Sequence, residues 1–323
     1  MQPLISVVLP AYNPDPRFFR ECIESVLGQS YRHFELIISD DSPAQEAGEL
    51  LRQFDDERIR FFKNPGEKGI FPNLNHAIRQ SKGEFIQIIC QDDRMYDRLL
   101  EEQLRVLEKY PKAGFVYAQS DIIDETGRII DPCKYPGTPE RRDILIPQQK
   151  AFNCFFRYGC LPGNLSTVML RRSLIDEIGY FDEKYSFGGD FKYWVDAIER
   201  HEFAIMLPPL IEVRSHSQQA SRVMGAVKWT EDAVPVYRQL FDRVKVGSSH
   251  LLPWLFINES FGVQSFYGIL RAAYTERQPG LLKNLLLLNR RPFNLWLIIA
   301  FFVVTLRRNF KIFQLKEVQL FAE

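Results

Sequence analysis

Two adjacent carboxylates, Asp92 and Asp93, follow a strongly apolar stretch of the chain at residues 85–89. Two carboxylates at the end of a buried strand cannot both lie in apolar core uncompensated, so they must meet solvent, a cation or a ligand. Open α/β sheets bind ligands at the carboxyl edge of their strands. Adjacent carboxylates at that edge suit a hard divalent cation that also holds a diphosphate. The alternative is a solvated turn that caps the next helix.

The first apolar stretch, residues 4–9, leads into a turn formed by Pro10, Ala11, Tyr12 and Asn13. An aromatic side chain just past a strand end can stack on a nucleobase, and proline restricts the turn that presents it. The alternative is that Tyr12 packs against its own neighbours. The turn is therefore a candidate contact for a nucleotide.

The second stretch, residues 34–39, is also followed by two acidic residues, Asp40 and Asp41. Asp40 can accept a hydrogen bond from a base N–H, whereas Asp41 better fits the alternative of a helix cap. A loop with two glycines then supplies Lys68 as a candidate phosphate contact, and Asn73 follows it as a further donor contact. A solvated surface loop is the alternative for this segment.

The elements that must position these residues follow from hydrophobic periodicity. The predicted strands are residues 4–9, 34–39, 59–62, 85–89, 115–117, 164–170, 203–207 and 210–213. Helical patterns are found at residues 18–27, 74–78, 99–107, 173–178 and 190–200. Alternating strands and helices predict an α/β fold with a mixed, mostly parallel sheet flanked by helices. Prolines and glycines between residues 125 and 165 predict loops and a lid.

Composition narrows the class of protein. The 323 residues are enough for one large or two ordinary domains, and 46% of them are hydrophobic. Lys+Arg and Asp+Glu number 41 each, which argues against a nucleic-acid partner because such proteins carry a basic surplus. The five cysteines are scattered, without zinc spacing, and predict neither a metal site nor a disulfide framework. The N-terminus lacks the pattern of a signal peptide, so we expect a cytoplasmic protein.

The order of these motifs resembles that of the family 2 glycosyltransferases, which share the nucleotide-diphospho-sugar transferase (GT-A) fold. The matching positions are residues 6–13, 25–31, 34–42 and 83–86, with Asn64, Gly69, Asn75, Ala77, Asp92 and Asp93. The resemblance covers roughly residues 3–220. It implies an inverting transfer of a sugar from a nucleotide-sugar donor to an acceptor hydroxyl.

The resemblance also implies roles for individual residues. Tyr12 matches the base-stacking position, and Asp40 matches the contact to uracil or thymine, so the donor would be UDP- or dTDP-linked. Asp93 matches the ligand of a Mg²⁺ or Mn²⁺ ion that bridges the donor diphosphate, and Asp92 lies nearer the sugar or ribose. Gln91 occupies the first position of this DxD-type motif.

Family members carry a downstream acidic residue that acts as catalytic base, and Asp190 is its best match. Asp190 opens a predicted helix, whose N-terminus stabilises a carboxylate; a helix cap is the alternative role. Asp182 and Glu183 are the other candidates. His216, past the last predicted strand, resembles an additional metal or phosphate contact, although a lone histidine is often structural.

We predict a GT-A domain at residues 1–222, with a donor half to about residue 120 and an acceptor half beyond it, followed by a helical region at 223–323. Residues 295–306 are uncharged, yet as a helix they would measure only ~18 Å against a hydrocarbon core of ~30 Å. Residues 280–323 carry seven basic and two acidic side chains, which suits peripheral contact with the inner face of the cell membrane. A buried helix or the dimer interface of a homo-oligomer is the alternative.

The expected acceptor is a saccharide, in particular a lipid-linked oligosaccharide of O-antigen, capsule or exopolysaccharide synthesis. The enzyme would then be a hexosyl- or deoxyhexosyltransferase. Two alternatives stay open: a non-catalytic nucleotide-sugar-binding subunit and a sugar nucleotidyltransferase. A sugar nucleotidyltransferase would carry a basic, glycine-rich motif near the first strand, and the turn around Tyr12 does not contain one. A dehydrogenase is disfavoured because no GxGxxG follows that strand.

Overall fold

The structure, a computed structural model, describes residues 2–44, 46–133, 142–219 and 225–244. The strands are β1 (Ile5–Ala11), β2 (Phe34–Asp40), β3 (Ile59–Lys63), β4 (Phe85–Ile88), β5 (Arg94–Met95), β6 (Ala113–Ile123), β7 (Ile129–Asp131), β8 (Asp143–Ile146), β9 (Val168–Arg171) and β10 (Glu202–Arg214). The α-helices are α1 (Pro16–Leu27), α2 (Glu46–Leu51), α3 (Ile70–Gln80), α4 (Leu99–Lys109), α5 (Gln148–Tyr158), α6 (Arg172–Ile178), α7 (Gly189–Ala197) and α8 (Gly225–Arg243).

The chain divides into two compact units. The first unit comprises Met1–Gln148, Pro162–Ser186 and Asp196–Gln219 and contains all ten strands. The second unit comprises Gln149–Leu161, Phe187–Val195 and Ala220–Glu323. Each unit is described by itself below.

One mixed sheet forms the centre of the first unit, with the order β3-β2-β1-β4-β9-β6-β10-β5. Parallel pairs join the longer strands, and every antiparallel pair involves one of the short strands β5, β7, β8 or β9. All seven residues of β2 are buried, which explains the apolar residues at four of its first five positions. The predicted α/β fold with a mixed, mostly parallel sheet and flanking helices is confirmed.

Helix α1 shows how local sequence produces these elements. Asp15 accepts hydrogen bonds from the backbone N–H groups of Arg17 and Phe18, and Pro16 occupies the first turn, where its missing N–H costs nothing. The apolar residues at helical spacing, among them Phe19 and Val26, are buried in the core of the first unit. The helix is thus fixed by its cap at one end and by its packed face.

Two predicted strands differ from the structure. Residues 165–167 are not part of a strand, because the Asn164 side chain accepts a hydrogen bond from Ser166 N and caps a 3-10 turn, Leu165–Thr167. The predicted strands 203–207 and 210–213 are one strand, β10, because register shifts against β6 accommodate the prolines between them. The expected loop region also contains two short strands, β7 and β8, and an 11-residue helix, α5, which sequence reasoning missed although Ala151, Cys154 and Phe155 lie at helical spacing.

Helix α8 lies where the sequence predicts helices after residue 222. The apolar stretch 295–306 and the basic segment 280–323 lie outside the described residues. Among the helices of the described ranges, none combines the length and the apolar character needed to cross a bilayer.

Candidate functional site

The carboxyl ends of β1, β2 and β4 lie side by side at one edge of the sheet. β1 is parallel to both neighbours, and Ala11 at its end stands opposite Asp40 of β2. The backbone N–H of Ile89, just past β4, donates to Val8 O at 3.0 Å. The structure therefore brings the Tyr12 turn, the Asp40 turn and the Asp92 turn to a common edge.

Gln91 connects two of these turns. The backbone N–H of Tyr12 donates to Gln91 Oε1 at 2.8 Å, and Gln91 Nε2 donates back to Tyr12 O at 3.0 Å. The Tyr12 backbone is thereby fixed while its side chain stays 57% exposed, as a ring that stacks on a ligand must be. Sequence reasoning missed this role; the signal was an amide where the motif has an acid.

Replacing Gln91 by alanine is expected to weaken UDP binding up to about 30-fold, because two hydrogen bonds worth about 1 kcal/mol each disappear from the Tyr12 turn. Gln91→Glu retains the acceptor for Tyr12 N and should lose about half of that free energy. Isothermal titration with UDP measures both. Unchanged affinity in the alanine variant would show that the Tyr12 turn does not contact the nucleotide.

The two acidic residues after β2 have different partners. Asp40 is fully buried, and its Oδ1 accepts hydrogen bonds from Ser42 N at 2.9 Å and Ser42 Oγ at 2.6 Å. Asp41 instead accepts from Asn64 Nδ2 at 2.7 Å and from Gly69 N at 2.8 Å. Asp40 therefore closes its own turn and Asp41 fixes the following loop. The contact of Asp40 with a base stays a prediction.

The remaining candidate donor contacts differ in what they offer a ligand. Lys68 is 54% exposed, and its Nζ donates to Asn64 O at 2.6 Å. Asn73 is buried and donates through Nδ2 to Ala11 O at 3.0 Å, so it joins the ends of β1 and α3. Pro10 pairs with Ser39 within the sheet.

Asn13 follows Tyr12 with a positive φ of 42°, a conformation that asparagine tolerates. Its backbone N–H donates to Ser42 Oγ at 2.8 Å. The turn after β1 is thus held from the β2 side as well as by Gln91.

Asp93 lies in the interior, with 1% of its surface exposed. Its Oδ1 accepts a hydrogen bond from Arg214 N at 2.9 Å, and its Oδ2 accepts one from Ser166 Oγ at 2.6 Å. Burial, together with the neighbouring Asp92 carboxylate, raises the pKa of Asp93 to about 8 in spite of these hydrogen bonds. Ionising both adjacent carboxyl groups of this turn at once is therefore unfavourable.

Asp92 lies against His216. The distance between Asp92 Oδ2 and His216 Nε2 is 2.7 Å, and the hydrogen bond to Asp92 raises the pKa of His216 above its usual range. The structure thus brings together two residues separated by 124 positions in the sequence. Asp92 Oδ2 and His216 Nε2 are therefore directed toward each other, as the two partners of one hydrogen bond.

These donors fit a divalent cation. Within the described ranges no group of three or more His, Cys, Asp or Glu side chains is arranged to hold an ion. Asp92 and His216 supply two ligands, and Mg²⁺ or Mn²⁺ commonly completes its shell with water and substrate phosphates. A cation here would also neutralise the charge that raises the pKa of Asp93.

A buried arginine supports this turn and was not singled out from the sequence. Arg214 is 0% exposed, and its guanidinium donates to Asp92 O at 2.9 Å, Asp124 O at 3.1 Å and Glu21 Oε2 at 2.5 Å. Its Cζ lies 4.4 Å from the centre of the Phe18 ring. The planar fork therefore ties the backbone of the Asp92 turn to α1.

Asp190 belongs to the second unit, at the N-terminus of α7. It is partly buried, its Oδ1 accepts from Phe191 N at 2.7 Å, and Cys160 Sγ lies 3.9 Å from its Oδ2. Burial raises the pKa of Asp190 to about 6. Such a carboxylate is ionised at neutral pH and still basic enough to accept a proton.

The two other candidates for the base are engaged in ion pairs of the first unit. Asp182 Oδ2 lies 2.6 Å from Lys184 Nζ. Glu183 Oε1 lies 3.2 Å from Arg79 Nη2 and accepts a hydrogen bond from Asn75 Nδ2 at 2.8 Å. The side chains of Asp182 and Glu183 are 39% and 35% exposed.

Comparison with known proteins identifies the family. The model of glycosyl transferase family 2 matches residues 6–178. The chain belongs to this family.

An uncharacterized glycosyltransferase of Rickettsia typhi is 26% identical over 220 residues, covering 68% of this chain and 66% of the relative. An uncharacterized protein of Sinorhizobium fredii is 32% identical over 201 residues, covering 61% of this chain but 20% of that protein. The chain therefore spans only part of the length of these relatives.

Solved structures support the fold. S. aureus TarS 1-349 in complex with UDP-GlcNAc superposes with a TM-score of 0.61 at 14% identity, over 85% of this chain and 76% of that chain. The mannosyltransferase PcManGT of Pyrobaculum calidifontis, in complex with GDP-Man and Mn²⁺, has a TM-score of 0.52 at 14% identity, over 96% and 88%. At this identity the likeness establishes a GT-A fold and leaves the donor to be derived from the site.

Proposed function

We propose that this family 2 glycosyltransferase moves a sugar from a UDP- or dTDP-linked donor to a hydroxyl of a saccharide acceptor, with inversion. The observation that carries the proposal is the pairing of Asp92 with His216 at the sheet edge where the exposed Tyr12 ring lies. A site for a nucleotide-sugar donor requires an aromatic ring that stacks on the nucleobase. It also requires ligands for the metal ion that binds the diphosphate. The TarS complex with UDP-GlcNAc supports a UDP-linked donor, and the PcManGT complex with GDP-Man and Mn²⁺ supports a nucleotide sugar and a divalent cation but not the choice of base.

Each residue has a defined task in the proposed reaction. Tyr12 stacks on the base, and Asp92 with His216 holds the cation, assisted by Asp93. The cation, when bound, stabilises the charge that develops on the leaving diphosphate. Asp190 takes the proton from the acceptor hydroxyl as its oxygen attacks the anomeric carbon. Attack opposite the diphosphate inverts the configuration.

A thermal-shift screen of UDP-, dTDP- and GDP-sugars tests the donor and the metal together. We expect UDP- or dTDP-sugars with Mn²⁺ or Mg²⁺ to raise the unfolding midpoint by roughly 5 °C or more at a ligand concentration of about 100 Kd. Asp92→Asn should reduce this shift because it removes a metal ligand, and excess EDTA should reduce it because it removes the ion.

The control for this screen is Asp97→Asn, a change of the same type at an exposed residue of the same region. Its shift should equal that of the wild type. A nucleotide shift that neither EDTA nor Asp92→Asn affects would refute the metal role. The absence of a shift with any nucleotide sugar would refute the donor site.

The proposed acceptor is a lipid-linked saccharide of cell-surface polysaccharide synthesis, and the proposed activity is that of a hexosyl- or deoxyhexosyltransferase. Seven basic against two acidic side chains in residues 280–323 support contact with an anionic membrane surface. The proposed domain boundary at residue 222 separates this segment from the donor site.

Membrane contact predicts a defined effect of charge. Replacing Arg307, Arg308 and Lys311 together by glutamine should weaken binding to phosphatidylserine-containing vesicles about 10²-fold, because each basic side chain near the surface contributes about 1 kcal/mol. Co-sedimentation with vesicles measures the effect.

The matched control replaces three exposed basic residues of the first unit, Arg52, Lys82 and Lys112, by glutamine. Both triple variants lose the same net charge. A larger loss of vesicle binding in the C-terminal variant would therefore reflect a local role of the C-terminal segment. Equal losses in both, or a wild-type chain that does not sediment with anionic vesicles, would contradict membrane contact.

A further inference from the structure

Helix α8 reaches the backbone that precedes Asp190. The side chain of Asp232 on α8 is 5% exposed, and its Oδ2 accepts hydrogen bonds from Phe187 N at 2.9 Å and from Gly188 N at 3.0 Å. These two residues immediately precede α7, whose first turn contains Asp190. One carboxylate oxygen therefore fixes two consecutive peptide groups, and all of these residues belong to the second unit.

Gly188 makes this approach feasible. A Cβ atom built on Gly188 would lie 2.9 Å from Asp232 Cβ, closer than real side chains approach. The glycine at position 188 thus has a local physical reason, which is the close packing of the Asp232 side chain of α8 against the loop.

A second contact joins α8 to the start of α7. The ring of Tyr237 on α8 lies edge-on to that of Phe191, with centroids 5.2 Å apart and planes inclined by 71°. Phe191 is the residue whose backbone N–H donates to Asp190 Oδ1. Helix α8 therefore contacts the chain on both sides of Asp190.

We infer that Asp232 is a positioning residue for the catalytic base, holding the Phe187–Gly188 backbone so that the Asp190 carboxylate keeps one orientation at the helix N-terminus. The inference rests on the proposed role of Asp190 and adds a task for α8, a helix beyond the residues that the family model matches. A displacement of about 1 Å in a reacting group can lower a rate about 10²-fold, so the hydrogen bonds of Asp232 matter even though it touches no substrate.

The charge of Asp232 also acts on Asp190. Among the titratable groups around Asp190, the Cys160 thiol beyond α5 donates to it, and the Asp232 carboxylate on α8 repels its ionised form. This repulsion adds to burial in raising the pKa of Asp190. Substitutions of Asp232 can therefore separate its effect on the position of the Asp190 carboxylate from its effect on the pKa of Asp190.

Two variants of the full chain separate these effects. Asp232→Ala removes both hydrogen bonds; we expect kcat to fall about 10- to 100-fold with little change in donor KM, and the amides of Phe187 and Gly188 to exchange faster. Asp232→Asn keeps an acceptor oxygen and loses the charge, so kcat should stay within about 3-fold while the acidic limb of the pH profile moves to lower pH. Rates are measured as nucleotide release from the nucleotide sugar that the wild type turns over fastest.

Asp242→Asn is the matched control, since Asp242 is an exposed aspartate of the same helix and its substitution should alter neither kcat nor the pH profile. If Asp232→Ala retains the wild-type kcat and pH profile while its amides at 187 and 188 exchange faster, the positioning role is overturned. If Asp232→Ala does not fold, Gly188→Ala decides, because its added Cβ would displace the Asp232 side chain; a wild-type kcat with faster exchange of the amides at 187 and 188 then overturns the inference. Retained turnover in Asp190→Asn would instead refute the proposed base and leave the exchange results standing.

Discussion

Replacing Asp190 by asparagine is expected to lower the rate of sugar transfer by about 10² to 10⁴-fold, the range that a general base contributes. Asparagine fills the same space and can still accept a hydrogen bond from Phe191 N, so the helix start should persist. What the variant loses is the group that takes the acceptor proton. Steady-state transfer assays measure the loss, and titration with UDP should give the wild-type Kd.

Asp182→Asn and Glu183→Gln are the matched controls, because these neighbouring carboxylates are engaged in ion pairs. Both variants should retain wild-type turnover within about 3-fold, in line with the small effect of most surface pairs. Turnover retained in Asp190→Asn and lost in one of these two would transfer the role of base to that residue.

The raised pKa of Asp190 predicts the direction in which kcat/KM and the free energy of unfolding change with pH. A base must be ionised, so kcat/KM should rise with pH through a pKa of about 6 and level off above it. Because burial raises this pKa from 3.8, the folded state binds the proton more tightly than the unfolded state, and ionisation between pH 4 and pH 6 lowers the free energy of unfolding. Asp190→Asn removes this cost of about 1–3 kcal/mol, so the variant should be at least as stable as the wild type at pH 7.

The sequence was sufficient to predict the edge of the sheet where the site lies. Apolar runs followed by Tyr12, Asp40 and Asp92 identify strand ends, and parallel strands place their carboxyl ends together. Predictions made from such local patterns agree with the structure because the same side chains form both the pattern and the buried strand.

The supporting residues could not be predicted in this way. Arg214 and Glu21 are 193 positions apart, and no periodicity connects two side chains that meet only after the sheet has formed. Gln91 was recognised as an exception to the DxD-type motif. Its partner, however, is the backbone of Tyr12, and a backbone partner cannot be predicted from residue types because every residue has a backbone. The same holds for Asp232, whose two partners are peptide N–H groups.

Replacing Arg214 by methionine should lower the free energy of unfolding by about 3 kcal/mol or more, because it leaves Glu21 and two backbone carbonyls without their buried donor. For a chain of this size the midpoint of thermal unfolding would fall by roughly 6–12 °C. Methionine retains most of the aliphatic volume, so cavity formation contributes little. UDP affinity should fall as well, since the Asp92 turn loses its support from Arg214.

Arg94→Met is the control that isolates burial. Arg94 also bonds to Glu21, to Glu212 at 2.7 Å and to the backbone carbonyl of Gly127, yet its side chain is 25% exposed. Partly hydrated ion pairs contribute about 0.2–1 kcal/mol each, so this variant, which loses two of them, should lose about 0.4–2 kcal/mol, less than Arg214→Met. Equal losses in the two variants would mean that the shared partner Glu21, rather than the buried fork beneath the Asp92 turn, determines the stability of this region.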